Sequence, residues 1–259
     1  MKLLVASLTF LLLTLDGNVF ALTNENQVSS DKKSDKDNTR VSRPVFNSEL
    51  DAVLTLSPLS NIRKDTYEST TDFKARLCGK THELLEIKPG ATFEVPLFET
   101  HGTYNADKKE ISFTSYNTRP FYNQAIYNKY IGLQVASKTE QGASYVGTNA
   151  FGVKKDITKE SQFHVELLLP IKAPTKSNGL FVKIPFSPLD AKKIIDDLRL
   201  VVSTSLSNSC AVTSWYHSSP TIDSPYDIDR TSFGIVGASD ARWKIINKRS
   251  GEVLKSGNF

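Results

Sequence analysis

The sequence predicts an α+β fold that is mainly β: an antiparallel sandwich or strongly bent sheet with two amphipathic helices packed on it. Three observations carry this. Phe163, Val165, Leu167 and Leu169 keep strict period two, which puts all four on one face of a strand. Shorter alternating runs recur between turn-forming residues. Only two segments combine a helix cap with apolar residues at helical spacing.

In chain order, Met1 to Ala21 reads as a secretory signal rather than as part of the fold. Lys2 supplies the positive start, Leu3 to Leu15 the apolar run, and Val19-Phe20-Ala21 a small-x-small cleavage site, so the mature chain is expected to begin at Leu22. About thirteen apolar residues fall short of the roughly twenty that a spanning helix needs, which predicts no stable membrane span after cleavage. Residues 22–44 are mostly Ser, Asn, Asp and Lys with little to bury, which predicts a disordered leader. A single β-rich domain is expected over 45–259.

Within that domain, Leu50, Val53, Leu54 and Leu56 fit either a short helix or a strand, ended by Pro58. Ser69 and Asp72 have the spacing of a capping box, with Phe73 and Leu77 one turn apart behind it. Gly79 is the expected stop, which puts Cys78 on the last turn. After Pro89-Gly90, Phe93, Val95 and Leu97 alternate, Asn105 to Lys109 turns the chain, and Ile111 and Phe113 alternate again, as in a hairpin. Leu133 and Val135 precede an expected turn at Gln141-Gly142, and Tyr145 to Ile157 reads as a glycine-interrupted strand pair. The strand of Phe163 to Leu169 is expected to turn through Pro174 to Gly179 and pair with Leu180, Val182, Ile184 and Phe186. Ser187, Pro188 and Asp190 then form a helix start, followed by Ala191, Ile194, Ile195 and Leu198 at i, i+3, i+4 and i+7. Leu200 to Leu206 and Cys210 to Tyr216 read as strands, Ser218 to Thr231 as an Asp- and Pro-rich loop, and Phe233 to Val236 as a strand. Trp243 to Ile246 and Glu252 to Leu254 flank Ser250-Gly251 as a terminal hairpin.

Cys78 and Cys210 are the chain's two cysteines. Export would deliver them to an oxidising compartment, so one disulfide is expected between them. It would close a loop of roughly 130 residues, for which the chain-entropy account gives about 5 kcal/mol as an upper figure. The net charge of +4 is scattered, without a basic face or tail, which argues against nucleic acid as a partner.

Known catalytic and metal-binding patterns each lack a needed residue. Gly79-Lys80-Thr81 resembles the end of a phosphate-binding loop, but Lys74 stands where that loop needs its first glycine. His82-Glu83-Leu84-Leu85-Glu86 lacks the second histidine of a metalloprotease helix and reads as a polar segment between helix and strand. The spacing of Cys78, His82, Cys210 and His217 does not match a zinc knuckle. No Gly-x-Ser-x-Gly occurs, and the Ser-x-x-Lys pairs starting at Ser29 and Ser30 lie in the leader. Asp223, Asp227 and Asp229 lack the regular alternation and turn glycine of a calcium loop. No catalytic residue, metal ligand or cofactor is assigned on these grounds.

The candidate binding patch lies between Tyr116 and Tyr130. Tyr116, Phe121, Tyr122, Tyr127 and Tyr130 come with Arg119 and several amides, and flat amphipathic rings suit an unknown protein, peptide or glycan partner. The competing reading has these rings covering the end of the core.

Two blocks, Lys64 to Arg76 and Tyr145-Val146-Gly147-Thr148-Asn149-Ala150-Phe151-Gly152-Val153, resemble segments of a family of uncharacterised exported bacterial proteins. That resemblance implies export and a β-rich body, with no activity to carry over. As structure, Glu68 and Arg76 are expected to fix a short helix to a sheet, and Gly147 and Gly152 to permit bulges or close backbone approach.

The expected function is that of an exported, non-enzymatic binding or envelope-accessory protein, periplasmic or secreted. The alternative is a hydrolase of an envelope or extracellular substrate, drawing acids and bases from His82, His101, His164, His217 and the late Asp-rich segment.

Overall fold

The computed structural model describes residues 44–116, 129–170 and 179–259, all within the compact unit Ser42–Phe259. The described chain is mostly strand with a few helices. Residues 1–43, the expected signal and all but the last residue of the expected leader, lie outside the described residues; that last residue, Pro44, forms a parallel bridge with Glu94.

Ser48 resolves the first ambiguity in favour of a helix, because its hydroxyl accepts the Asp51 amide and caps α1, Glu49–Leu56. Ala52, Val53 and Leu56 face inward, while Leu50 and Leu54 stay exposed. A single 3₁₀ segment containing Pro58 follows, Ser57–Asn61.

Helix α2, Thr70–Leu85, starts at the expected cap, where Ser69 Oγ accepts the Asp72 amide. It does not stop at Gly79. Leu77, Thr81 and Leu85 continue one buried stripe, and Thr81 escapes an apolar count although its hydroxyl is spent on the Leu77 carbonyl at 2.8 Å. The helix ends at Glu86, which adopts φ 54°. Cys78 therefore sits inside the helix rather than on its last turn, and His82 to Leu85 belong to the helix rather than to a polar connector. Arg76 grips the Glu68 carboxylate through two nitrogens at 2.9 and 2.8 Å and donates to the Arg63 carbonyl at 2.9 Å. This pair ties the helix to the loop before it, not to a sheet as expected.

The strands that follow are β1 (Thr92–Pro96), β2 (Gly102–Asn105), β3 (Glu110–Tyr116), β4 (Tyr130–Thr148), β5 (Lys154–Pro170) and β6 (Gly179–Pro185). Helix α3 (Pro188–Ile194) leads into β7 (Leu198–Ser218), β8 (Tyr226–Gly237), β9 (Arg242–Asn247) and β10 (Val253–Asn258). Among the described residues they form a three-stranded sheet, β2-β3-β6, and a seven-stranded sheet ordered β10-β9-β7-β8-β5-β4, with β1 also on β7.

Three pairings differ from the sequence reading. The hairpin joins β2 to β3, whereas β1 pairs with β7 more than a hundred residues away. β6 pairs with β3 instead of β5, placing Val182 opposite Phe113 and Ile184 opposite Ile111, all four buried. Gln141-Gly142 is not a turn: β4 runs through it, and the register with β5 shifts between Gln141 and Ser144 as a bulge does. The β4–β5 turn comes at Asn149 to Val153, where the Asn149 carboxamide oxygen accepts the Phe151 and Val153 amides at 2.9 Å. Gly152 there has φ 79°. A Cβ at Gly147 would sit 2.1 Å from Ile157 Cδ1, so a larger residue there needs the tip of the Ile157 side chain to move.

Helix α3 starts as expected at Ser187 and Pro188, but tightens to 3₁₀ at Ile195–Asp197 so that Leu198 opens β7. The two predicted strands around residues 200 and 213 are one, β7. Its first part pairs with β9 and its last part with β8, and the ladder breaks between Leu206 and Ala211. The expected Asp-rich loop is shorter than its composition suggests, because β8 begins at Tyr226 and pairs in parallel with β5 and antiparallel with β7. Asp227 and Asp229 are strand residues. The β9–β10 hairpin falls where Ser250-Gly251 predicts it.

The break in β7 is held from two directions. Cys78 and Cys210 form a disulfide, Cα to Cα 5.1 Å, that joins α2 to the strand where Cys210 takes φ 46°. Asp240, between β8 and β9, accepts from Thr204 Oγ1 at 3.0 Å, from the Ser205 amide at 3.2 Å and from Ser205 Oγ at 2.8 Å. Burial pulls the Asp240 carboxyl upward, but the Ser205 and Thr204 bonds outweigh it and leave its pKa below the ordinary value. Around this frame one cluster gathers Phe46, Leu56, Phe93, Phe113, Leu133, Leu167, Leu200 and Phe233 from helices and both sheets. No helix among the described residues is long and apolar enough to cross a membrane.

Replacing both cysteines with alanine is expected to lower the free energy of unfolding by about 2–5 kcal/mol, read as a lower urea midpoint at similar slope. An unchanged midpoint would mean that the bridge contributes nothing. Asp240 is charged in folded and unfolded chains well above 3.8, its ordinary value; its stabilisation is therefore present there and lost as pH falls through the lower folded value. Asp240→Asn is expected to melt below the wild type at neutral pH and to converge with it in acid. A gap that persists in acid would refute the electrostatic account.

Candidate functional site

The tyrosine-rich patch yields little geometry. Arg119, Phe121, Tyr122 and Tyr127 lie outside the described residues, and Tyr116 ends β3 opposite Gly179. Tyr130 opens β4 and packs, half-buried, with Val212 against the small apolar pair Leu168 and Val236.

A different set converges at the far end of the larger sheet, where β4, β5, β8 and the end of β7 lie side by side. Strand alternation decides which side chains meet. The registers set Tyr145 opposite Ile157, Lys159 beside Asp227, Asp229 opposite His217 and Thr231 opposite Trp215. All of these project from the face that, farther along the same strands, carries Phe233 and Val165 into the core. Beyond the core this face is left open: Trp215 is 64% exposed and Tyr145 39%.

The polar contacts form one connected line. His217 Nδ1 lies 3.0 Å from Asp229 Oδ1. Its Nε2 lies 3.4 Å from Ser219 Oγ and 3.7 Å from Asp227 Oδ1. The Tyr145 hydroxyl donates to Asp227 Oδ2 at 3.1 Å, and Lys159 Nζ stands 5.7 Å from the centre of the Tyr145 ring. Desolvation first, then the bond to Asp227 and that residue's negative charge, push the Tyr145 phenol above its ordinary pKa. The Trp215 and His217 rings are nearly parallel, 14° apart with centroids at 6.1 Å.

A groove adjoins each end of this line. One, of about 340 Å³, runs between Trp215 and the segment after α1, with Asn61, Arg63, Thr213 and Thr231 on its walls. The other, of about 470 Å³, is lined by Tyr145, Ile157 and Lys155 and by Thr221 and Ile222 of the β7–β8 turn. Lys155 Nζ donates to the Ile222 carbonyl and so fastens that turn to β5.

Of the four histidines considered as acids or bases, only His217 meets the late aspartates. His82 is near the end of α2 with Nδ1 3.1 Å from the Ile87 carbonyl, His101 is exposed before β2, and His164 lies on β5 with its pKa pushed down by burial and by Arg230. The disulfide commits Cys78 and Cys210 to each other, which rules out the four-residue zinc set. Among the described residues no three His, Cys, Asp or Glu side chains are grouped to hold a metal ion. Gly79-Lys80-Thr81 is helix interior rather than a phosphate loop, and the Ser-x-x-Lys pairs lie outside the described residues.

Sequence reasoning missed Trp215, Tyr145 and Lys159 as members of one site. A signal was present, since Tyr226 to Arg230 alternates in character, but aspartate at every second position hides a strand from an apolar count. Comparison with known protein families, with curated protein sequences and with solved structures returns no match.

In an ultraviolet difference titration one tyrosine is expected to ionise above 10.0. That transition should be missing in Tyr145→Phe and move back toward the ordinary value in Asp227→Asn. An unchanged transition in Asp227→Asn would leave desolvation as its sole cause.

Proposed function

We propose that this chain is an exported, non-enzymatic binding or envelope-accessory module whose ligand surface is the open face around Trp215, His217 and Tyr145. The observation that carries the reading is the exposure of this constellation: the Trp215 and Tyr145 rings, the His217 imidazole and the Asp229 carboxylate stand together on neighbouring strands and are left open by the fold, with Asp227 more deeply set between them. Exposed aromatic and polar groups held on such a scaffold suit recognition. Export is supported by the signal-like residues 1–21 and by the Cys78–Cys210 bridge, which persists where thiols are oxidised. A sandwich-like packing of the three-stranded sheet against the larger one also belongs to this reading, supported by the shared cluster of Ile111, Phe113, Leu133 and Val165.

One arrangement favours the hydrolase alternative. Asp229, His217 and Ser219 line up in the order acid, base, hydroxyl. Two features weigh against it. The His217 and Asp229 side chains are 40% and 56% exposed, so water screens the charge separation that such a triad must stabilise. Asp227 also competes with Ser219 for Nε2.

The test uses the oxidised chain starting at Leu22, assayed on ester, peptide and glycosidic reporter substrates. No turnover that separates the wild type from His217→Ala is expected, and fractionation of source cells should recover the protein outside the cytoplasm. Turnover abolished by both Ser219→Ala and His217→Ala would replace the binding reading with the hydrolase.

A further inference from the structure

We propose that the open face binds a neutral oligosaccharide, laid across the strands from the Trp215 groove over His217 and Asp229 to Tyr145. The inference rests on the binding reading and assigns its ligand class.

The geometry sets the length of the ligand. Trp215 and Tyr145 are separated by the β7–β8, β8–β5 and β5–β4 spacings and by several residues along the strands. With strands about 4.8 Å apart and about 3.3 Å of rise per residue, three strand steps and the offset from Ile157 to Phe163 set the two backbone positions roughly 25 Å from each other. One sugar ring does not bridge that distance; a chain of several does. A ring at each end offers an apolar surface to sugar C–H faces, which is how a flat aromatic side chain recognises a ligand that is otherwise polar.

Charge selects against other polymers. Arg63 stands at one end of the line, Asp229 and Asp227 in its middle and Lys159 and Lys155 at the other end, so a polyanion meets carboxylates and a polycation meets ammonium and guanidinium groups. Hydroxyl groups donate to the acids and accept from the bases, so a neutral glycan uses both signs. The groove beside Trp215 adds polar groups that suit sugar hydroxyls: the side chains of Asn61, Arg63, Thr213 and Thr231 and the indole N–H of Trp215. A peptide would gain most of its affinity from main-chain pairing along a strand edge. These groups instead lie on a sheet face, and the nearby β4 edge is interrupted by the bulge between Gln141 and Ser144.

The experiment is calorimetric titration of the oxidised wild-type chain with neutral hexasaccharides: β-linked glucose, β-linked N-acetylglucosamine and α-linked glucose. A heparin hexasaccharide serves as the anionic comparison. Saturable binding of at least one neutral hexamer is expected, with little salt dependence and at least tenfold weaker binding of its monosaccharide. Trp215→Ala and Tyr145→Ala should each weaken it tenfold or more. Val146→Ala should leave it unchanged, because strand alternation puts that exposed side chain on the opposite face. Unchanged melting temperatures in the two aromatic variants separate loss of contact from loss of fold.

Three results would overturn the inference: no neutral hexamer binds, binding survives both aromatic substitutions, or heparin alone binds with steep salt dependence. Trp215-dependent binding of a peptide would likewise refute the glycan while leaving the binding reading intact. Hydrolysis dependent on Ser219 and His217 would instead remove that reading.

Discussion

The interruption of β7 between Leu206 and Ala211 is the constraint on which the rest of the larger sheet depends. One strand serves two sets of neighbours, β1 and β9 before the break and β8 at Leu206 and again from Ala211 onward, and a ladder that loses its register needs something else to fix it. The disulfide at Cys210 supplies a covalent anchor to α2, and the Asp240 carboxylate ties Thr204 and Ser205 to the link between β8 and β9. Nearby amides and hydroxyls that would otherwise lose partners at the break are thus spent on this carboxylate. Because β8 inherits its position from this junction, so do Asp227 and Asp229, and with them the arrangement around His217.

Much of the secondary structure was legible because local physics decides it. The Ser69 and Ser187 caps, the alternation of Phe163 to Leu169 and the Ser250-Gly251 turn all depend on neighbours within a few residues. Pairing partners were less legible, since alternation says which face a strand buries and not which strand lies beside it. β6 chose β3, and β1 reached β7, for reasons that sit in tertiary packing. The site was hidden by the same limit. Tyr145, Lys159, Asp227 and His217 come from four strands, so no spacing in the sequence brings them together. The tyrosine-rich stretch drew attention because its residues are contiguous, which is what a sequence displays best.

The proposed binding role fits the exposure of the open face. A catalytic group is useful when its surroundings exclude water and aim dipoles at a developing charge, whereas His217 and Asp229 stand well exposed on strands with polar neighbours. The same exposure favours recognition, because each ring and carboxylate is already held by its strand and loses little freedom on meeting a ligand.

The parallel contact between β5 and β8 carries a consequence for how the chain acquires its structure. β5 ends at Pro170 and β8 starts at Tyr226, and β6, α3 and β7 all intervene. The β4–β5 hairpin can zip locally, yet the middle of the sheet cannot close until the last quarter of the polypeptide has emerged. Loop-closure entropy is met before the contacts that reward it. Such a molecule stays unlocked through most of its synthesis and commits late.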